Sequence, residues 1–144
     1  MTTRAKFKDL VEMVALFRSP RGCAWKRQLT LRSLPPYSRS EFEELMQAVE
    51  KEDWDNLREE LGDVLFHIVL YAEIAKEQGK FDISDVVNDI HGKMVRRNPH
   101  VYGNLKLTDP IEIEKMWQEI KKKEKLEKAR KSKNRGKQTI RKYK

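Results

Sequence analysis

The sequence predicts an all-α protein, a bundle of four to five helices. Apolar residues recur three and four positions apart through most of the chain before its Lys-rich end, which is the spacing of one face of a helix. No segment shows the alternation of apolar and polar residues that is typical of a half-buried strand. Gly and Pro residues, the usual sites of turns, separate the periodic segments. These observations indicate several helices and no sheet.

The first two predicted helices occupy the N-terminal third of the chain. Apolar residues at helical spacing predict a helix from about Lys6 to Arg18, and the sequence SPRG that follows ends it. A loop with a double proline separates this helix from the second. Ser38 or Ser40 is the expected N-cap of the second helix, because a serine hydroxyl can accept a hydrogen bond from a free backbone N–H of the first turn. This helix continues to about Lys51.

Three further helices follow. The third is long and is predicted to run from its N-cap, Asp53, to about Gln78, where Gly79 ends it. The sequence FDIS begins a fourth helix, which reaches about Arg97 ahead of an Asn-Pro pair. The last helix is predicted to begin with Asp109 as N-cap and a proline at the first helical position, where the missing N–H carries no cost.

The net charge of +8 is concentrated at the C-terminal end. Residues 121–144 contain thirteen Lys and Arg against two Glu, a net of +11, which leaves 8 − 11 = −3 for the rest of the chain. The segment 132–144 has almost nothing to bury, so we expect it to be disordered in isolation. We therefore predict one domain over residues 1–131, a length that suits a single modest core, followed by a basic tail over 132–144.

Composition excludes several classes of protein. One cysteine, Cys23, excludes an internal disulfide and a zinc site with several cysteines. No apolar run approaches the length of a membrane span, so we expect no membrane contact. The N-terminal sequence MTTRAKFKDL has no apolar signal core. We predict a cytoplasmic protein.

Four carboxylates form two pairs spaced i, i+3. Glu41 and Glu44 lie on the second helix, and Glu60 and Asp63 lie on the third. At roughly 100° per residue, the second acid of each pair lies about 60° to one side of the first. Apolar residues lie on the other side: Phe42, Leu45 and Val49 on the second helix, and Leu57, Leu61, Val64, Ile68 and Ala75 on the third.

Helices packed along these apolar stripes would bring the four acids together at one edge. Carboxylates are the ligands that hard divalent cations such as Mg²⁺ prefer. A solvated acidic surface is the alternative interpretation, and periodicity alone does not separate the two.

The sequence around these acids resembles that of the MazG family of nucleoside triphosphate pyrophosphohydrolases. The matching motifs are the glutamate pair in EFEEL, then EELGD, FDISDV and NPHVYG, with the upstream loop SPRGCAW. The resemblance spans about residues 10–121. The chain departs from the family pattern at four positions: Ala24, Lys26, Ser40 (where the family usually has a glutamate) and Gln47.

The resemblance implies a fold, an activity and a set of site residues. It implies an all-α homodimer, tetramer or larger assembly that cleaves the α–β phosphoanhydride of an NTP or dNTP. The products would be an NMP and pyrophosphate. The cofactor would be Mg²⁺, with Mn²⁺ as a possible substitute, and the role would be the removal of unwanted nucleotides. By position, the metal ligands would be Glu41, Glu44, Glu60 and Asp63, and Glu41 or Glu44 would accept the proton of the attacking water. The phosphate and base contacts implied are Lys93, Arg97, Trp117 and Lys121.

The competing hypothesis is a catalytically weakened helical module. It would bind nucleic acid or another partner through its basic residues 121–144, whose lysines can neutralise phosphates. Only Tyr143 could stack on a base in this segment, and no known nucleic-acid-reading motif is present.

Overall fold

The computed structural model describes residues 4–141, with side chains described for residues 4–134. Within this part of the chain the backbone forms seven helices and no strand, which confirms the all-α fold class. The helices are α1 (Phe7–Arg18), α2 (Ala24–Gln28), α3 (Pro35–Glu50), α4 (Trp54–Glu77), α5 (Ile83–Arg97), α6 (Pro99–Tyr102) and α7 (Pro110–Arg141). The two helices beyond the predicted five are the short α2 and α6, both in segments predicted as loops.

The chain divides into two compact units, one through Val87 and one from Asn88 onward. In the first unit α4 packs against both α1 and α3, and α1 also packs against α2. The core of this unit is built from apolar side chains of four segments: Val14, Leu29, Leu34, Val69, Leu70 and Ile74. Since α4 contributes half of these residues, it is the central helix of the unit.

A buried arginine joins the end of α1 to the end of α4. The side chain of Arg18 is 7% exposed, and its Nε and Nη2 donate to the two carboxylate oxygens of Glu77 at 2.6 and 2.7 Å. Its Nη1 donates to the carbonyl oxygens of Lys26 (2.6 Å) and Leu29 (3.0 Å). The guanidinium suits this position because its several donors can be satisfied together.

Helix α3 begins earlier than the sequence predicts. It starts at Pro35, with Leu34 as the N-cap residue, and neither Ser38 nor Ser40 caps it. The hydroxyl of Ser38 instead lies 3.0 Å from the hydroxyl of Tyr71 on α4. Proline is favoured at a first helical position because its φ is already helical and its missing N–H needs no partner. The double proline therefore opens the helix, whereas the prediction had placed it in the preceding loop.

Both predicted ends of α4 are confirmed. The carboxylate of Asp53 accepts a hydrogen bond from the backbone N–H of Asn56 at 3.1 Å. At the other end Gly79 has φ +65°. The N–H of Gly79 donates to the carbonyl of Lys76 and the N–H of the next residue to that of Ala75, which is the Schellman arrangement that ends many helices.

The second unit contains the last part of α5 and all of α6 and α7. The carboxylate of Asp109 accepts from the N–H of Ile111 at 2.8 Å, so the predicted cap of α7 is present. The sequence predicts disorder from residue 132, whereas the backbone of α7 is helical through Arg141. The helix extends this far because Lys, Arg and Gln, which are frequent in this segment, have high intrinsic helix propensity. The disorder of this segment in isolation stays a prediction, as does the single domain over 1–131, and residues 142–144 lie outside the described part.

None of the helices described here is long and apolar enough to cross a membrane.

Candidate functional site

Three carboxylates converge where α3 packs against α4. Glu41 lies on α3, and Glu60 and Asp63 lie one turn apart on α4. One carboxylate oxygen from each side chain lies within 4.8 Å of the other two. This spacing gathers hard oxygen donors from two helices at one point, as a divalent cation requires. The structure thus brings together three of the four predicted metal ligands.

Glu60 is the buried member of this acidic cluster. The residue is 6% exposed, and its Oε2 atom has no hydrogen-bond partner among the described residues. Burial raises the pKa of its carboxyl, and the neighbouring carboxylates of Glu44, Asp63 and Glu41 raise it further. A buried carboxylate oxygen without a partner is costly, and a bound cation would remove that cost. The donor set therefore fits a metal ion.

Glu44, the fourth predicted ligand, lies outside the group of three oxygens. Its side chain is exposed, and its Oε1 accepts a hydrogen bond from the hydroxyl of Ser40 at 3.3 Å. It is still close enough to raise the pKa of Glu60. Ser40 is the position where the resemblance leads one to expect a glutamate. The hydroxyl of Ser40, one helical turn earlier on α3, thus contacts the carboxylate of Glu44.

The apolar stripe predicted beside the acids is only partly buried. Leu45 and Ala75 are buried, as expected. Other large apolar side chains of the two helices are exposed in the single chain, and we call them the α3–α4 apolar face: Phe42, Met46, Val49, Leu61, Leu65 and Ile68. The buried side of α4 is turned toward Val69, Leu70 and Ile74, because this helix packs on α1 as well as on α3.

A groove of about 420 Å³ runs between α3 and α4 beside the acidic cluster. Phe42, Ile68 and His67 are among its lining residues. The hydroxyl of Ser38, which also lines it, is 2.9 Å from Nδ1 of His67. His67 follows Asp63 by four residues, so the groove places a surface of ligand size one helical turn from the acids.

The predicted phosphate and base contacts lie in the second unit. The guanidinium carbon of Arg97 is 5.3 Å from the ring centroid of Trp117, and the Nζ atom of Lys121 is 5.1 Å from it. Both distances are typical of cation–π interactions. Lys93 is half-buried, and its side chain makes no hydrogen bond or ion pair with the described residues. Three of the four predicted residues thus form one cationic group around an indole.

Comparison with known proteins agrees with the resemblance seen in the sequence. The model of the MazG nucleotide pyrophosphohydrolase domain matches residues 29–102, which is more than half of the chain. The chain belongs to the MazG family. Its structure also matches that of a MazG-related protein from Thermotoga maritima with a TM-score of 0.66 and 32% sequence identity, over 80% of this chain and 98% of that one. The family assignment made from the motifs is therefore confirmed.

Two curated relatives carry the family name or its activity in their own names. The nucleoside triphosphate pyrophosphohydrolase/pyrophosphatase MazG of Thermotoga maritima is 43% identical over 119 residues. The nucleoside triphosphate pyrophosphohydrolase of Escherichia coli is 38% identical over 124 residues. These alignments cover 83% and 85% of this chain but only 45% and 47% of the relatives. The MazG domain described here therefore spans less than half the length of those proteins.

Glu124 is the residue of this MazG domain that the sequence analysis missed. Its Oε2 atom accepts hydrogen bonds from Nε and Nη2 of Arg97 at 3.0 and 2.8 Å. In the sequence it is one of two glutamates in a strongly basic segment and counts only as a charge. The one signal that could have revealed it is its spacing, three residues after Lys121 and seven after Trp117, which places it on the same helix face.

Proposed function

We propose that this MazG domain is a Mg²⁺-dependent nucleoside triphosphate pyrophosphohydrolase. It would cleave the α–β phosphoanhydride of an NTP or dNTP and release an NMP and pyrophosphate, which fits the removal of unwanted nucleotides. The observation that carries the proposal is the buried, unpartnered Oε2 of Glu60 beside oxygens of Glu41 and Asp63, in a chain of the MazG family. The names of the relatives support the substrate class.

The acidic cluster is the proposed metal site. Glu41, Glu60 and Asp63 would hold the ion, with Glu44 reaching it once its carboxylate leaves Ser40. A bound Mg²⁺, or Mn²⁺ in its place, would neutralise triphosphate charge and lower the pKa of a coordinated water.

Proton transfer falls to a carboxylate of α3. Glu41 or Glu44 would take the proton of the attacking water as general base. The water oxygen would form a bond to the α-phosphorus while the bond from that phosphorus to the α–β bridging oxygen breaks, and pyrophosphate would leave with that electron pair. Glu60 suits this role less well, because its carboxylate is buried and would hold the ion together with Glu41 and Asp63.

The cationic residues of the second unit would bind the substrate. Lys93, Arg97 and Lys121 would contact phosphate oxygens, where charge-assisted hydrogen bonds are strong. Trp117 would support these cations through its ring and offer a surface for the base. Positioning and charge supply most of the rate in phosphoryl transfer, so no side-chain nucleophile is needed.

We further propose that the domain associates with a second copy of itself through the α3–α4 apolar face. Phe42, Val49 and Leu61 are 54%, 49% and 52% exposed in the single chain. Six large apolar side chains exposed on two helices that pack together are unusual on a monomer and mark an interaction site. A dimer or tetramer would cover it, whereas the nucleic-acid contact considered for residues 121–144 stays a prediction.

The activity is tested on a panel of NTPs and dNTPs with Mg²⁺, with products separated by ion-exchange chromatography. We expect NMP and pyrophosphate from at least one substrate, and none when EDTA replaces Mg²⁺. Release of NDP and orthophosphate would contradict the proposed cleavage position. If no substrate gave any product at high protein concentration, the proposed enzymatic activity would be refuted.

The site assignment is tested with Glu41→Gln and Asp63→Asn. Each change removes one anionic ligand, so kcat/KM should fall by about two orders of magnitude or more. Glu50→Gln, on an exposed position of α3, is the matched control and should retain the native rate. Native activity in either site variant would remove that residue from the mechanism.

A further inference from the structure

We propose that Glu124 is a positioning residue for Arg97, holding the guanidinium against Trp117 with its terminal edge open to a phosphate. The inference rests on the proposed function only in taking Arg97 as a phosphate contact. It adds a negatively charged residue beside cations, Arg97 and Lys121, that were expected to bind phosphate.

The contact between Glu124 and Arg97 has the geometry of a fixed pair. Oε2 of Glu124 accepts from Nε at 3.0 Å and from Nη2 at 2.8 Å, while Oε1 accepts from Nε of Arg96 at 3.4 Å. The side chains of Arg97 and Glu124 are 13% and 21% exposed. Hydrogen bonding to Arg97 lowers the pKa of Glu124, so the pair is ionised at neutral pH.

The same geometry leaves donors on Arg97 for a ligand. A guanidinium carries five N–H groups, and Glu124 uses one on Nε and one on Nη2. No described residue accepts a hydrogen bond from Nη1 of Arg97. Of the three N–H groups left, one on Nη1 and one on Nη2 form the terminal edge of the fork, which can bind two oxygens of one phosphate. Arg97 can thus hold Glu124 and a phosphate at once.

Trp117 restrains the guanidinium in a second direction. Its ring centroid lies 5.3 Å from the guanidinium carbon, so Arg97 is held by a carboxylate at one edge and by an indole. An unrestrained arginine loses rotamer freedom when it binds a ligand. Here the contacts with Glu124 and Trp117 have already removed much of that freedom on folding.

A competing role for Glu124 makes the opposite prediction. If its carboxylate mainly repels phosphate or occupies Arg97 in its place, removing it should strengthen anion binding. If it positions Arg97, removing it should weaken binding, although one negative charge is lost from a site for anions. The sign of the change therefore separates the two roles.

The test measures binding of inorganic tripolyphosphate to the full chain by isothermal titration calorimetry in the presence of Mg²⁺. We expect Glu124→Ala to raise the Kd about three- to tenfold, the loss expected for one charge-assisted contact. The Kd of Glu124→Gln should lie between those of the native protein and Glu124→Ala, because the amide oxygen of the glutamine can still accept a hydrogen bond from Arg97. Glu127→Ala removes the same charge from an exposed position one turn along α7 and should leave binding unchanged or slightly tighter.

A double-mutant cycle shows whether Glu124 acts through Arg97. In an Arg97→Ala background, Glu124→Ala should cause no further loss of affinity. With an NTP as substrate, Glu124→Ala should raise KM more than it lowers kcat. Circular dichroism checks that each variant keeps the helical content of the native chain.

Unchanged or tighter binding by Glu124→Ala would overturn the inference, and so would a full additional loss in the Arg97→Ala background. A native protein that does not bind tripolyphosphate would also overturn it, since Arg97 would then contact no phosphate. The proposed function has its own separate test, because a protein that binds tripolyphosphate yet releases no NMP fails only as an enzyme.

Discussion

At Glu60, burial and neighbouring charge act in the same direction. Burial disfavours the ionised carboxyl, and nearby carboxylates disfavour it further, so the folded chain holds the proton more tightly than the unfolded chain does. In the metal-free protein, stability is unaffected below the ordinary pKa of 4.5. Stability falls as the pH rises through the raised pKa, and the full loss is present above it.

Glu60→Gln removes this ionisation. We expect the variant to melt a few degrees above the native protein at about pH 7.5 in EDTA, and at the same temperature as the native protein at about pH 4, where both side chains are neutral. Thermal unfolding followed by circular dichroism at the two pH values measures the difference.

Mg²⁺ should reverse this order. The ion should raise the melting temperature of the native protein by binding its folded state, and should have little effect on Glu60→Gln. Glu59→Gln, a neighbouring change at an exposed position, is the control and should respond to Mg²⁺ as the native protein does. If Glu60→Gln were less stable than the native protein in EDTA at neutral pH, ionised Glu60 would not destabilise the metal-free fold as we expect.

The helices show how far sequence reasoning reaches. The ends of α4 were predictable because Asp53 and Gly79 each act within a few residues of themselves. The start of α3 was not predictable, because Pro35 is equally compatible with a loop and with a first helical turn. The helix begins there because Leu34, the residue before it, is buried in the core, and this contact is not visible in the local sequence. Local signals were sufficient only where local contacts determine the structure.

The candidate site follows the same division. The two i, i+3 pairs made the convergence of Glu41, Glu60 and Asp63 one of two open interpretations, and the packing of α3 on α4 decides for it. The turn of Glu44 toward Ser40 is a choice of rotamer that periodicity does not specify. Glu124 was missed because its partner, Arg97, lies 27 residues away in the sequence.

The cap of α4 gives a test at the level of the helix. Asp53→Ala removes the acceptor for the N–H of Asn56, and we expect a loss of about 1 kcal/mol in the free energy of unfolding. Urea denaturation measures it. Asp55→Ala, two residues later, breaks an exposed ion pair with Arg58 and removes a negative charge from the first turn of α4, and should cost less than about 0.5 kcal/mol because both effects are weak at an exposed position. Equal losses in the two variants would show that the cap does not stabilise α4.

The α3–α4 apolar face makes a prediction about the whole molecule. Phe42→Glu and Leu61→Glu each place a charge on this face, where burial against a second copy would leave the charge unpaired. We expect the native chain to sediment as a dimer or larger species at micromolar concentration and both variants to sediment as monomers. Analytical ultracentrifugation measures the masses.

Leu126→Glu is the matched control for this experiment. Leu126 is equally exposed, at 60%, but lies on α7, outside the apolar face. The variant should therefore keep the native mass. A native chain that is monomeric at every concentration would refute self-association through this face.

The acidic residues of α4 and its contact with Arg18 lie in different parts of the helix: Glu60 and Asp63 lie in its first half, and Glu77 is its last residue. It has 24 residues, so at 1.5 Å per residue Asp63 lies about 21 Å from the Glu77 end that Arg18 clamps. Effects of changes at such separations usually add independently. A substitution that strengthens the Glu77 end should therefore add its stability to the chain while leaving the geometry of the acidic cluster at the other end of the helix unchanged.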